Sequence, residues 1–227
     1  MDTHIAGSND KVSSAASRHN LVRKALLVCG IASSLLYIVA NDVVAAMSYP
    51  GYSRISQPIS QLSATFAPSR TFLVPLIVFY ELLIIAFGIG VWQSAQGKRL
   101  LRVTGGLVIA GGILGLVGLA FPMTQLDLSS DMMHNILMGT VVPLLMFVTI
   151  GFGAAALGRW FRLYSILTIA VLLLGGALSG MQLAQMAAGE TASWFGLTQR
   201  MLIGAWLSWV AVLAIVLLRP QPEQIKT

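Results

Sequence analysis

Six apolar runs, each long enough to cross a bilayer, constrain this chain more than any single residue does. A helix needs roughly 20 mainly apolar residues to span the hydrocarbon core. The stretches at about 25–47, 72–94, 101–121, 133–157, 163–186 and 198–218 all meet that length. Of the 227 residues, 56% are apolar and only 10% charged, where a soluble domain carries about 25% charged residues. Hydrocarbon offers backbone groups no hydrogen bonds, so such runs must be helical. The expected fold is all-α, a polytopic membrane bundle of six transmembrane helices over 25–218. A polar, Ser-rich N-terminal tail over 1–24 is expected to be disordered, and a short tail over 219–227 closes the chain. Basic residues precede the first run, as in a signal peptide. That run is longer than a secretory core and no small-x-small cleavage site follows, so it reads as an uncleaved anchor.

The net charge of +6 is explained by where the charges fall. With the N-terminus placed inside, eleven of the 14 Lys and Arg lie on the inner side, and Arg54, Arg70 and Arg200 lie outside. That asymmetry is the positive-inside pattern. It predicts a multi-pass inner (plasma) membrane protein with both termini cytoplasmic, and it accounts for the basic balance without nucleic acid. Membrane lipids are the expected partners, and a homo-oligomer is left open. The single cysteine, Cys29, lies in the first run, which excludes an intramolecular disulfide and a cysteine metal site.

One long polar insertion interrupts the apolar pattern. It runs over 49–66 as YPGYSRISQPISQLSATF, between the first two spans. Ser56 or Gln57 can cap a helix there, with Pro58 at the first position, where its missing N–H costs nothing. Ile59, Leu62 and Phe66 then share one face while Ser60 and Ser63 fall on another, giving a short amphipathic outer segment suited to an interface. Glycines mark helix contacts: Gly111, Gly115 and Gly118 recur at helical spacing in the third span, with Gly105 and Gly112 on a neighbouring stripe. Gly176 and Gly180 form a GxxxG pair in the fifth. Small residues let backbones approach where lipid supplies no hydrophobic force between helices.

The residues able to carry chemistry lie mostly at the outer end. Asp131 and His134, three apart in QLDLSSDMMHN, face the same side of the fourth span's first turns. That pair could orient a proton acceptor or contribute to a divalent site. A metal needs at least three ligands and His134 is the only histidine outside the N-terminal tail, so no metal is assigned. The plainer reading is a helix start capped by Ser129 or Ser130, with Asp131 complementing the helix dipole. Glu81 lies in mid-span two, a depth at which an ionisable group is costly and usually faces the bundle with a partner. Arg200, near the outer end of span six, can pair with Glu81, Asp131 or Asp42, or grip an anionic headgroup. Asp42, Asp127 and Glu190 also fall on the outer half, so an outward-facing polar cluster is expected. None of Ser53, Ser56, Ser60 and Ser63 sits in a GxSxG elbow, which argues against serine catalysis.

With these residues assembled, the chain resembles the bacterial integral membrane family known as domain of unknown function 998. The likeness rests on YPGYSRISQPISQLSA after span one, the glycine-rich third span ending in Phe121-Pro122, the acidic loop before His134, and TQR with Trp206 around Arg200. It covers about residues 26–218. Members often carry an acid at the position of Gln61, in an ISELGA-like run where this chain has Gln61 and Ser63. The resemblance implies a six-span bundle and names no reaction or cofactor. The residues themselves suggest a site for a lipid or small ligand built from Arg200, His134, Asp131, Ser60, Ser63 and Glu81. In that reading Arg200 holds an anionic group, and Asp131 and His134 orient it. Three alternatives stand beside it: a lipid-directed hydrolase or transferase using His134, a transporter with a polar path past Glu81, and an assembly protein whose glycine stripes face a partner. Whether the chain is an enzyme is left open.

Overall fold

The computed structural model describes residues 3–124, 127–191 and 193–219, with the side chains at 3–16, 128 and 187 excepted. Most of the tail expected over 219–227 lies outside the described residues. Among those described there is no strand. Seven α-helices account for six membrane-length elements: α1 (Thr3–Tyr37), α2 (Arg70–Gln93), α3 (Arg99–Gly118), α4 (Leu128–Ile136), α5 (Val142–Ala156), α6 (Arg159–Ala187) and α7 (Phe195–Leu218). The fourth span is composite. Its helices α4 and α5 are joined end to end by a π-helical turn, Leu137–Val141. A second π segment, Ile38–Ala45, extends α1 to complete the first span. The six-span, all-α expectation is therefore met. The stretch expected as a disordered tail is helical from Thr3, continuous with the first span. Extending an existing helix avoids the nucleation penalty that an isolated segment would face.

The spans pack as a closed ring in chain order, α1 on α2, α2 on α3, α3 on α5, α5 on α6, α6 on α7, and α7 back on α1. Since helix association in lipid depends on close packing, the α2–α3 contact is built on glycine. A Cβ on Gly105 would come within 2.7 Å of the Trp92 nitrogen, and one on Gly88 within 2.7 Å of Ile109 Cγ1. The short 94–98 connection fixes this antiparallel register, which sets Gly88 against Ile109, Ile85 against Gly112 and Glu81 against Gly115. Aromatic side chains fill the rest of the interior. Trp209 is fully buried, stacks on Trp206 at 5.7 Å, and donates from Nε1 to Ser165 Oγ at 2.9 Å, which satisfies its one polar group. The GxxxG pair of the fifth span behaves differently. Gly176 and Gly180 have open space where a Cβ would stand, so they pack against no neighbouring helix among the described residues.

The polar insertion covers one end of the bundle. Its helical part is shorter than expected, a five-residue 3-10 turn over Ile59–Ser63 with no side-chain cap. Pro58 has extended ψ of 147° and stands just outside the turn. Neither Ser56 nor Gln57 caps it, and the Gln57 side chain instead accepts from the Ser53 backbone N–H. The apolar face holds at Ile59 and Leu62, which are buried, while Phe66 is exposed.

Candidate functional site

The insertion is fastened at both edges. On one side Leu197 N–H donates to the Ile55 carbonyl at 2.9 Å, and Ile59 N–H donates to Gln199 Oε1 at 3.0 Å, tying the loop to the first turns of α7. On the other, Thr65 N–H donates to the Met123 carbonyl at 2.9 Å and the Ser60 hydroxyl meets the Met123 sulfur at 3.1 Å. Ser63 turns back on its own segment and donates to the Ser60 carbonyl at 3.1 Å. Of the two serines singled out for a site, Ser60 thus helps fasten the loop to Met123 and Ser63 serves the loop's internal bonding.

Arg200 makes the most bonds of these fastenings. Its Nε lies 2.6 Å from Asp42 Oδ1, the two side chains being 12% and 31% exposed. One terminal nitrogen donates to the Arg54 carbonyl at 2.8 Å and to the Gly196 carbonyl at 3.1 Å. The other donates to the Tyr52 hydroxyl at 2.9 Å, and the Tyr52 ring lies 5.6 Å from the guanidinium carbon. Burial pushes the Tyr52 phenol up, and the hydrogen bond and charge of Arg200 oppose that rise. Of the three carboxylates within reach by sequence argument, Arg200 takes Asp42. The π segment carries Asp42, and there the Asn41 amide donates to the Tyr37 carbonyl at 3.2 Å. A guanidinium with four of its five N–H groups spent is a structural clamp. Tyr52 was not predicted as a partner of Arg200, nor Gln199 as a partner of the loop.

Asp131 and His134 belong to a separate turn. Asp131 Oδ1 accepts from Thr124 N–H at 2.6 Å, and His134 Nδ1 lies 2.9 Å from the Phe121 carbonyl. An acceptor there places the ring proton on Nδ1. The cap of α4 is Asp127, whose carboxylate accepts from the backbone N–H groups of Ser129 and Ser130. The Ser129 hydroxyl, with those two N–H groups, holds the Asp127 carboxyl below its usual range. Ser129 and Ser130 follow the cap instead of forming it, because the carboxylate is the better acceptor for two amides at once. Among the described residues, no three of His, Cys, Asp and Glu gather closely enough to hold a metal. The expected single mouth is thus divided. Asp42 and Arg200 form one cluster and Asp131 and His134 another, the bonded loop lies between them, and Glu190 is exposed elsewhere.

Glu81 stands apart from both clusters. It lies at the middle of α2, roughly 17 Å along the helix from either end. No hydrogen bond or ion pair joins its carboxyl to any described residue. It is seated against α3 at Gly115, where any Cβ would overlap its oxygens. The glycine stripe expected to bring helices together here makes room for a carboxyl. Beside it is a cavity of about 70 Å³, lined among others by Tyr80, Gly111, Gly115, Met138, Thr149 and Trp206. Space of that size holds a few waters or a short aliphatic segment.

A family model described as "Protein of unknown function (DUF998)" matches residues 31–216, which include both loop fastenings, Glu81 and the glycine stripe. The chain belongs to the DUF998 family. No curated protein and no solved structure matches it. Within this DUF998 chain, Tyr80, Met138, Thr149 and Trp206 were missed as neighbours of Glu81. The tight connection between spans two and three could have revealed Gly115, since it fixes which residues of α3 face Glu81.

Proposed function

We propose that this DUF998 protein binds a lipid or another small amphipathic molecule, whose polar group reaches Glu81 while its apolar part occupies the cavity between α2, α3 and α5. One observation carries the reading: a carboxyl in mid-membrane, beside a cavity, with no protein partner among the described residues. Such groups are expensive to keep and mark substrate or ion sites. The reading moves the centre of the site from Arg200, Asp131 and His134 to Glu81, and gives the outer residues the work of holding the loop closed. With it goes a proposed orientation, both termini cytoplasmic in a bacterial plasma membrane, supported by the eleven-to-three division of Lys and Arg. A cysteine placed at Ser129 then reacts with an impermeant thiol reagent from outside the cell and one at Lys98 does not. The reverse pattern would refute the orientation.

Native mass spectrometry of protein purified in a mild non-ionic detergent tests the site. The expected result is a retained lipid or small molecule that is lost in Glu81→Gln and kept in Arg162→Ala. A ligand retained by Glu81→Gln but lost in a folded Arg200→Lys would return the site to the outer loop. No retained ligand from any preparation would leave the chain as a structural protein.

A further inference from the structure

The cavity beside Glu81 has a chemical sign. None of its lining residues is a Lys, Arg or His, so no positive charge there favours an anion. Thr149 spends its hydroxyl proton on the Leu145 carbonyl at 2.7 Å, and a hydroxyl so committed has only acceptor capacity left. Tyr80 and Trp206 bring aromatic rings, electron-rich groups that tolerate a nearby cation; Trp209 stacks on one face of Trp206 at 5.7 Å, and Tyr37 packs edge-on against Tyr80 at 4.9 Å. The Glu81 carboxyl completes a set of an acid, a proton-spent hydroxyl and two aromatic rings. A carboxylate at this depth needs a proton or a counter-ion. The protein provides no counter-ion among its described residues.

We propose that the cavity takes a lipophilic ammonium, a protonated amine on an apolar body, with the charge at Glu81 and the hydrocarbon toward Met138 and the α3–α5 side. This rests on the ligand-binding reading above and specifies its charge. The amine of a phospholipid headgroup is a poor fit, because headgroups lie about 15 Å from the bilayer centre and Glu81 is in mid-span. A free amine with a short hydrocarbon body matches both the depth and the small volume.

The test compares n-hexylammonium with n-hexanol, equal in chain length and different in charge, by calorimetric titration of the purified full chain in a maltoside detergent. The ammonium should bind at least tenfold more tightly than the alcohol, and Glu81→Gln should erase that difference. Repeating the titration in phosphatidylcholine nanodiscs should preserve it, and adding phosphatidylethanolamine should not compete. Competition by phosphatidylethanolamine would overturn the assignment to a free amine. Equal binding of amine and alcohol in the native protein, both abolished by Gly115→Leu, would overturn the cation and leave a neutral ligand site. A preference for the ammonium that persists in Glu81→Gln would also overturn the proposal. Binding of neither probe, together with no retained ligand in mass spectrometry, would overturn this proposal and the reading beneath it.

Discussion

At Arg200, four hydrogen bonds, one of them an ion pair, converge on a single guanidinium. At Glu81, a carboxyl of comparable cost faces glycine and a hollow. Both groups lie in spans, and both are the kind of residue that an apolar bundle normally excludes. The difference lies in what each is joined to. Arg200 links the first span, the 48–69 loop and the last span, so its charge is matched and its directionality is used for assembly. Glu81 joins nothing among the described residues, and α3 gives up side-chain volume at Gly115 to accommodate it. A polar group that is fully bonded explains itself structurally. One that is kept without a partner asks for a role outside the folded chain.

The largest effect that separates the two regions is expected from Arg200→Ala. It strands Asp42 and removes the donors to Arg54, Gly196 and Tyr52 at once. Losing one member of a largely desolvated, hydrogen-bonded charge pair costs about 2–4 kcal/mol, moderated here because Asp42 is 31% exposed. Thermal unfolding in detergent should show a clear loss, and Arg200→Lys should recover little of it, since a lysine ammonium cannot reproduce the planar fork. An unchanged unfolding temperature would reduce the clamp to an incidental surface contact.

Gly115→Ala should come next. The added methyl displaces the Glu81 carboxyl, and overpacking of this kind costs about 1–3 kcal/mol. The diagnostic is its reversal: in a Glu81→Ala background the same substitution should cost close to nothing, because the volume it needs has been vacated. Equal losses in both backgrounds would mean that Gly115 is needed for contact between the α2 and α3 backbones, as Gly105 is, and that Glu81 is merely nearby.

The sequence carried much of this architecture and little of the pairing. Span count and helix class followed from apolar length, because the bilayer leaves a long apolar run no other structure. Arg200 could be placed at the loop end of the last span, yet its choice of Asp42 over Asp131 depends on the ring order of the helices and on a π turn in the first span. Neither leaves a mark in local composition. The acidic loop misled for a related reason: Asp127, Ser129 and Ser130 are all good caps, and backbone geometry decided among them. The glycine stripe of α3 was legible as close packing, but packing against a carboxyl looks the same in sequence as packing against a backbone. The hairpin register was the overlooked clue. Gly176 and Gly180 are the opposite case, a strong packing motif that meets no neighbour among the described residues.

The smallest effect is the most informative. Glu81→Gln keeps the side chain's shape and removes its charge. If Glu81 held the fold together as Arg200 does, this change would cost as much as Asp42→Asn, which weakens the ion pair at the clamp. If Glu81 is retained for a ligand, neutralising it should leave the empty protein within about 1 kcal/mol of the parent. Any change should be toward greater stability, because an ionisable group in mid-span with no partner among the described residues is a burden on the fold. Unfolding of Glu81→Gln and Asp42→Asn side by side in one detergent therefore ranks the two regions directly. A loss at Glu81 matching that at Asp42 would mean that the carboxyl has a structural partner after all. A stable Glu81→Gln protein that has lost its ligand would separate stability from function at a single atom.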